Sequence, residues 1–185
     1  MRVALVGKMR SGKDTAADYI AEKRGAMKLA FADRLKHTFH ELFPNISSGN
    51  KPRRHYQQYG ELMRAIDENV WINALEREIQ RYEGLYSPYK RNIVITDVRY
   101  PNELEWARSN NFVTIKINVD DSVKIRRVIE AGDDFDSFTL AHKTELNTEY
   151  LACDYTVTNN GTLEELYAQL DAVLDEIKKN AGERP

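Results

Sequence analysis

A short apolar run, Val3-Ala4-Leu5-Val6, passes directly into Gly7-Lys8-Met9-Arg10-Ser11-Gly12-Lys13-Asp14-Thr15 and then into the helix-forming Ala16-Ala17-Asp18-Tyr19-Ile20. A buried strand that turns on two glycines into a helix leaves a chain few ways to fold. Gly7 and Gly12 let the backbone double back, so that successive N–H groups converge as an anion nest. The helix that begins near Lys13 adds the partial positive charge of its N-terminus, and the Lys13 ammonium extends toward the same point. The ligand predicted for such a turn is the phosphate chain of a nucleotide.

The spacing is that of the Walker A pattern, GxxxxGK[ST], except that Asp14 stands where the pattern has a hydroxyl. That hydroxyl normally binds Mg²⁺; Asp14 offers a hard oxygen ligand in its place, directly or through water, and Thr15 offers a hydroxyl to the α-phosphate.

Further strands are predicted near 27–31, 92–96, 112–118 and 153–158, after the first at 2–6, with helices near 13–24, 32–43, 53–82, 101–109, 121–131 and 162–179. Strands alternating with helices imply an open, mostly parallel sheet of five strands covered on both faces. Ligands in such sheets bind beyond the carboxyl ends of the strands. The last helix is the clearest, with Leu163, Leu166, Leu170, Val173, Leu174 and Ile177 on one face and a capping box from Thr162 to Glu165. Residues 44–60, polar and turn-rich, and the aspartate-rich 131–147 interrupt the alternation. They read as insertions at the mouth of a site within a single domain, 1–185, with a substrate-binding insertion at about 44–82 and a lid at about 121–147.

A formal net charge of −2 gives no basic field for nucleic acid or a membrane surface. The single cysteine, Cys153, rules out an intrachain disulfide and a cysteine-cluster metal site, and reads as a packed residue. With no segment of about 20 apolar residues and a strand where a signal peptide would be, a cytoplasmic protein is expected. Host cytoplasm is meant if the gene is viral. A homodimer is left open.

Five other stretches carry chemistry. Ile93-Val94-Ile95-Thr96-Asp97-Val98-Arg99 is a buried strand ending in an acid. Asp97 would support Mg²⁺ or cap the helix that begins near Pro101, and Arg99 would grip a phosphate. After the second strand, Asp33 would take a proton from, or orient, an attacking oxygen, or simply cap its helix; Lys36 lies one turn on. The segment Arg53 to Arg64, with His55, Tyr56, Gln57 and Tyr59, suits an acceptor bearing a phosphate and a planar base, or is a solvated helix with tyrosines packed on the core. Trp71 reads as core. Arg126 and Arg127 open the fourth-strand helix as candidate fingers for the moving phosphoryl group, unless merely solvated. Asn159-Asn160-Gly161-Thr162 forms a turn that can set backbone groups and an Asn amide against an adenine edge while also capping the last helix.

Taken together, these residues resemble the deoxynucleoside monophosphate kinases of bacteriophages, P-loop kinases akin in architecture to dephospho-CoA kinase and, more distantly, to animal phosphomevalonate kinase. The likeness rests on Ser11-Gly12-Lys13-Asp14-Thr15, Phe31-Ala32-Asp33, the glutamine-containing segment ending in Gly60 and Arg64, Thr96-Asp97-Val98-Arg99-Tyr100-Pro101-Asn102-Glu103, Arg126-Arg127 and Asn159-Asn160-Gly161-Thr162, in order along nearly the whole chain. It implies an α/β P-loop NTPase fold, a three-layer α/β/α sandwich with helical lid and substrate-binding insertions. It implies transfer of the γ-phosphoryl of ATP, with Mg²⁺, to a nucleoside monophosphate.

On this resemblance ATP is held by Gly7, Met9, Arg10, Ser11, Gly12, Lys13, Asp14, Thr15, Asn159 and Gly161, and Mg²⁺ by Asp14 and Asp97. Lys13, Asp33, Arg99, Arg126 and Arg127 serve catalysis; Asp33, Lys36, Gln57, Arg64, Arg99, Glu103 and Glu145 meet the acceptor, with Glu103 a substrate-side or structural acid. His142-Lys143-Thr144-Glu145 departs from a His-x-Ser-Glu pattern but keeps a hydroxyl. Two other functions fit the same scaffold: a kinase for another small phosphorylated metabolite, and a non-catalytic nucleotide-binding module or switch. Against a GTPase switch, Asn50-Lys51-Pro52-Arg53 lacks the acid of an NKxD guanine signature.

Overall fold

The computed structural model describes residues 1–48, 52–85, 92–130 and 148–182, and the chain divides into two compact units, residues 1–28 with 90–185 and residues 29–89. The first unit is built on an all-parallel sheet. Its strands are β1 (Arg2–Val6), β2 (Ala26–Leu29), β3 (Asn92–Val98), β4 (Val113–Asn118) and β5 (Tyr155–Thr158), in the spatial order β2-β3-β1-β4-β5. Strand β1 is central, with Val3 opposite Val94 on one side and Val113 on the other. Both its faces are covered, which is why Val3, Ala4, Leu5 and Val6 are all fully buried and their sequence shows no polar alternation. Its register against β3 shifts between Ala4 and Val6, just before the chain leaves the sheet at Gly7.

Helix α1 (Lys13–Arg24) follows, and the C-terminal helix, here α7 (Leu163–Gly182), lies alongside it. Leu166, Leu170 and Leu174 enter one core with Ile20, Val94 and Ile115. The expected capping box is present: Glu165 N–H donates to Thr162 Oγ1 at 3.3 Å, and Thr162 N–H donates to the Glu165 carboxylate at 3.1 Å. On the surface, Tyr19 stacks on Tyr167 with ring centroids 4.0 Å apart, and its hydroxyl donates to Asp171 at 2.8 Å. Lys23 pairs with the same carboxylate. Helices α5 (Pro101–Ser109) and α6 (Asp121–Glu130) complete the unit's described helices longer than one turn. Cys153 is half-buried beside β5, where burial pushes its thiol pKa up.

The second unit contains α2 (Phe31–Leu42), α3 (Arg53–Ile66) and α4 (Val70–Leu85). It takes in α2 as well as the residues after it. Phe39 lies edge-on to Tyr56 at 5.2 Å and to Tyr59 at 5.7 Å, and the Trp71 indole donates to Gly60 O at 3.4 Å. Tyr56, Tyr59 and Trp71 therefore act as packing residues. The single helix expected over 53–82 is two. Asp67 ends α3 and its carboxylate accepts from Asn69 N–H at 2.9 Å and Asn73 Nδ2 at 3.0 Å, so a local side-chain turn outcompetes helix continuation.

Candidate phosphate-binding site

The loop from Gly7 to Gly12 joins the central strand to α1. Two of its residues are left-handed, Arg10 at φ 60° and Gly12 at φ 92°. Such turns bring backbone N–H groups into one concavity. Gly7 is required for space: a Cβ there would lie 2.6 Å from Ser11 Oγ and 2.8 Å from Ile117 O. Ser11 N–H donates to Lys8 O at 3.2 Å, and the ammonium of Lys13, a residue only 8% exposed, donates to the same carbonyl at 2.7 Å. Ser11 Oγ is buried and has no hydrogen-bond partner among the described residues. A buried hydroxyl left unsatisfied inside an anion nest is the kind of group a bound oxyanion completes.

From the other end of the chain, Asn159 closes on this loop. It follows β5, is 4% exposed, and donates from Nδ2 to Ser11 O at 2.9 Å. Its Oδ1 accepts from Arg127 Nη2 at 3.3 Å, and Arg127 Nη1 approaches Arg10 O at 3.5 Å. A Cβ on Gly12 would lie 2.1 Å from Asn159 Nδ2. The amide expected to face adenine is thus committed to the loop backbone, and no local sequence signal announces it. The two candidate finger arginines part company here: Arg127 touches the loop, whereas exposed Arg126 lies 3.9 Å from Glu130. Gly161 is exposed in the turn before α7.

At the end of β3, Thr96 is buried while Asp97 and Arg99 are half-buried. Glu103 is 2% exposed and its carboxylate accepts from the N–H groups of Arg99 at 2.8 Å and Tyr100 at 3.1 Å. That is the structural option among those expected for it: it caps α5 from the third helical position and fixes the backbone at Arg99. Asp14 is exposed in the first turn of α1. Among the described residues no three His, Cys, Asp or Glu side chains gather into a metal cluster of their own. Asp14 and Asp97 are both hard carboxylate donors, and Mg²⁺ commonly takes one or two carboxylates with substrate phosphates and water completing its octahedron, so the donor set fits that ion.

In the second unit, Asp33 and Lys36 are exposed on α2, and the Asp33 carboxylate accepts from Ala30 N–H at 2.9 Å, capping the helix. Gln57, Gly60 and Arg64 share a face of α3 by their spacing of three and four. Gln57 Oε1 is buried without a hydrogen-bond partner among the described residues, a second orphaned polar atom. Glu145 and most of the expected lid, 131–147, lie outside the described residues.

The AAA_18 family, described as an AAA domain, matches residues 3–137. A mimivirus protein provisionally named deoxynucleotide monophosphate kinase is 27% identical, over 94% of this chain and 95% of its own. The deoxynucleotide monophosphate kinase of Escherichia phage RB69 is also 27% identical, over 72% of this chain and 49% of its own. Among solved structures, TT1252 from Thermus thermophilus matches with a TM-score of 0.57 at 19% identity, covering 95% of this chain and 97% of its own. Dephospho-CoA kinase from Campylobacter jejuni matches at 0.56 and 15%, covering 97% and 98%. At those identities the likeness is one of fold. The chain belongs to the AAA_18 family, and its parallel sheet, glycine loop and flanking helices are those of the P-loop kinase fold.

Proposed function

We propose that the protein transfers the γ-phosphoryl group of ATP to a nucleoside monophosphate, with a deoxynucleotide as the leading acceptor. The observation that carries the reading is the Gly7–Lys13 loop, with two left-handed residues, a buried lysine and an orphaned serine hydroxyl at the start of a helix. The relatives named as deoxynucleotide monophosphate kinases support the choice of acceptor. In this reading the loop N–H groups and Ser11 Oγ receive phosphate oxygens. Lys13 exchanges its bond to Lys8 O for one to the β- and γ-phosphates. Mg²⁺ held by Asp14 and Asp97 would supply charge neutralisation between those phosphates.

Arg99, its backbone fixed by Glu103, pairs with a phosphate of donor or acceptor. Asp33, Lys36 and Arg64 position the acceptor monophosphate, and Gln57 Oε1 accepts from the acceptor's base. Transfer through a loose transition state needs placement and charge more than covalent help from the protein. The test is ADP release with ATP and each of dAMP, dGMP, dTMP, dCMP, their ribose counterparts and mevalonate 5-phosphate. Turnover is expected with at least one nucleotide, and Lys13→Ala is expected to lower it by about 10³-fold or more. Unchanged turnover in that variant would sink the mechanism, and activity confined to mevalonate 5-phosphate would move the acceptor to another class.

A further inference from the structure

We infer that Asn159 is a positioning residue for the phosphate loop and that Arg127 acts through it. The inference rests on the phosphate-site reading above, and it assigns to the chain's last turn a role in shaping its first. A trans peptide points its carbonyl and its following N–H in opposite directions. Asn159 Nδ2 holds Ser11 O at 2.9 Å, and so sets the direction in which Gly12 N–H must face. Asn159 is itself fixed: its backbone N–H donates to Asn118 O at 2.8 Å at the end of β4, and its side chain is buried. Arg127 holds the amide from the far side, because a guanidinium can only donate and therefore selects Oδ1, leaving Nδ2 to face Ser11. The second guanidinium contact, to Arg10 O, bears on the preceding peptide. One asparagine and one arginine thus orient two consecutive peptides of the loop without needing to touch the nucleotide.

The experiment is calorimetric titration of the full chain with ATP and magnesium, with steady-state kinetics on the acceptor found above. Asn159→Asp keeps the size and the acceptor for Arg127 but sets a carboxylate against Ser11 O; Asn159→Ala removes both contacts. Each is expected to weaken ATP binding about tenfold, with KM for ATP rising and KM for the acceptor unchanged. Arg127→Ala is expected to weaken ATP binding in the same direction, and the double variant with Asn159→Ala to lose less than the two single losses combined. Melting temperatures are recorded alongside, because a merely structural asparagine would lower them and leave the ATP constants of the folded protein alone. ATP affinity unchanged in folded Asn159 variants would overturn the inference. Should those variants not fold, Arg127→Ala, at a half-exposed position, decides alone: unchanged affinity there overturns it equally. Lys13→Ala separates the levels: if it loses ATP while the Asn159 variants keep it, this inference alone fails, and if it too binds ATP as before, the phosphate site itself fails.

Discussion

Gly12 meets two demands at once. Its φ of 92° costs any residue with a Cβ about 1–2 kcal/mol, and the position that Cβ would take lies 2.1 Å from Asn159 Nδ2. Gly12→Ala is therefore expected to lower the melting temperature by about 2–8 °C and, by pushing the amide off Ser11 O, to weaken ATP binding as well. Thermal melts with parallel ATP titrations check both; a variant that melts like the parent would mean the backbone relaxes out of the left-handed region. Single residues also show where local reading stops. Glycine spacing, Lys13 and the strand before them are contiguous, so the loop was legible from nine residues in a row. The partner of Ser11 O is 148 positions away, and nothing near residue 159 distinguishes an asparagine that caps a turn from one that holds another loop.

Between α1 and α7, Lys23, Tyr19 and Asp171 form one surface cluster. The bond from Lys23 holds the Asp171 carboxyl below its usual range, and the bonds to Asp171 and Tyr19 hold the Lys23 ammonium pKa above its own. A carboxyl lowered in the folded state stabilises above its unfolded pKa near about 4 and loses that contribution as pH falls through the lower folded value. An ammonium raised in the folded state stabilises fully below its unfolded pKa near about 10.4 and loses the contribution as pH climbs through the higher folded value. Asp171→Asn should then melt below the parent between these limits and converge with it at acid pH, a difference that thermal melts across pH would read; both side chains lie at the surface, 38% and 35% exposed, so the gap is small and shrinks in salt.

The elements themselves were largely visible in the sequence, because each carries its own punctuation: Gly12 and Gly25 around α1, Pro101 at the start of α5, and Thr162 with Glu165 before α7. The break between α3 and α4 was not, since Asp67-Glu68-Asn69 is polar on an already polar helix. Its signal, an aspartate two residues ahead of the N–H it accepts, is too short to show in a hydrophobic period. Strand β2 stops at Leu29 although the apolar run continues, because Asp33 caps Ala30 and starts the helix early.

For the whole molecule, the strand order places β1 between β3 and β4, so the strand feeding the loop is the best protected in the sheet. Hydrogen exchange is expected to be slowest at residues 3–6, 93–95 and 114–117, and much faster along exposed stretches of α3; fast exchange in β1 would contradict this core. No described helix is long and apolar enough to cross a membrane. The division into two units, with Asp33, Lys36, Gln57 and Arg64 on one and the phosphate loop and Arg99 on the other, was not readable from composition, because no linker-like stretch marks residue 29. The contact from Asn159 back to Ser11 also has a bearing on how the molecule is made. A ribosome threads out the glycine turn well before the asparagine that braces it, 148 positions on, so a nascent chain carries the motif before it carries a finished cradle. Capacity to capture nucleotide should arrive only once the fifth strand has docked.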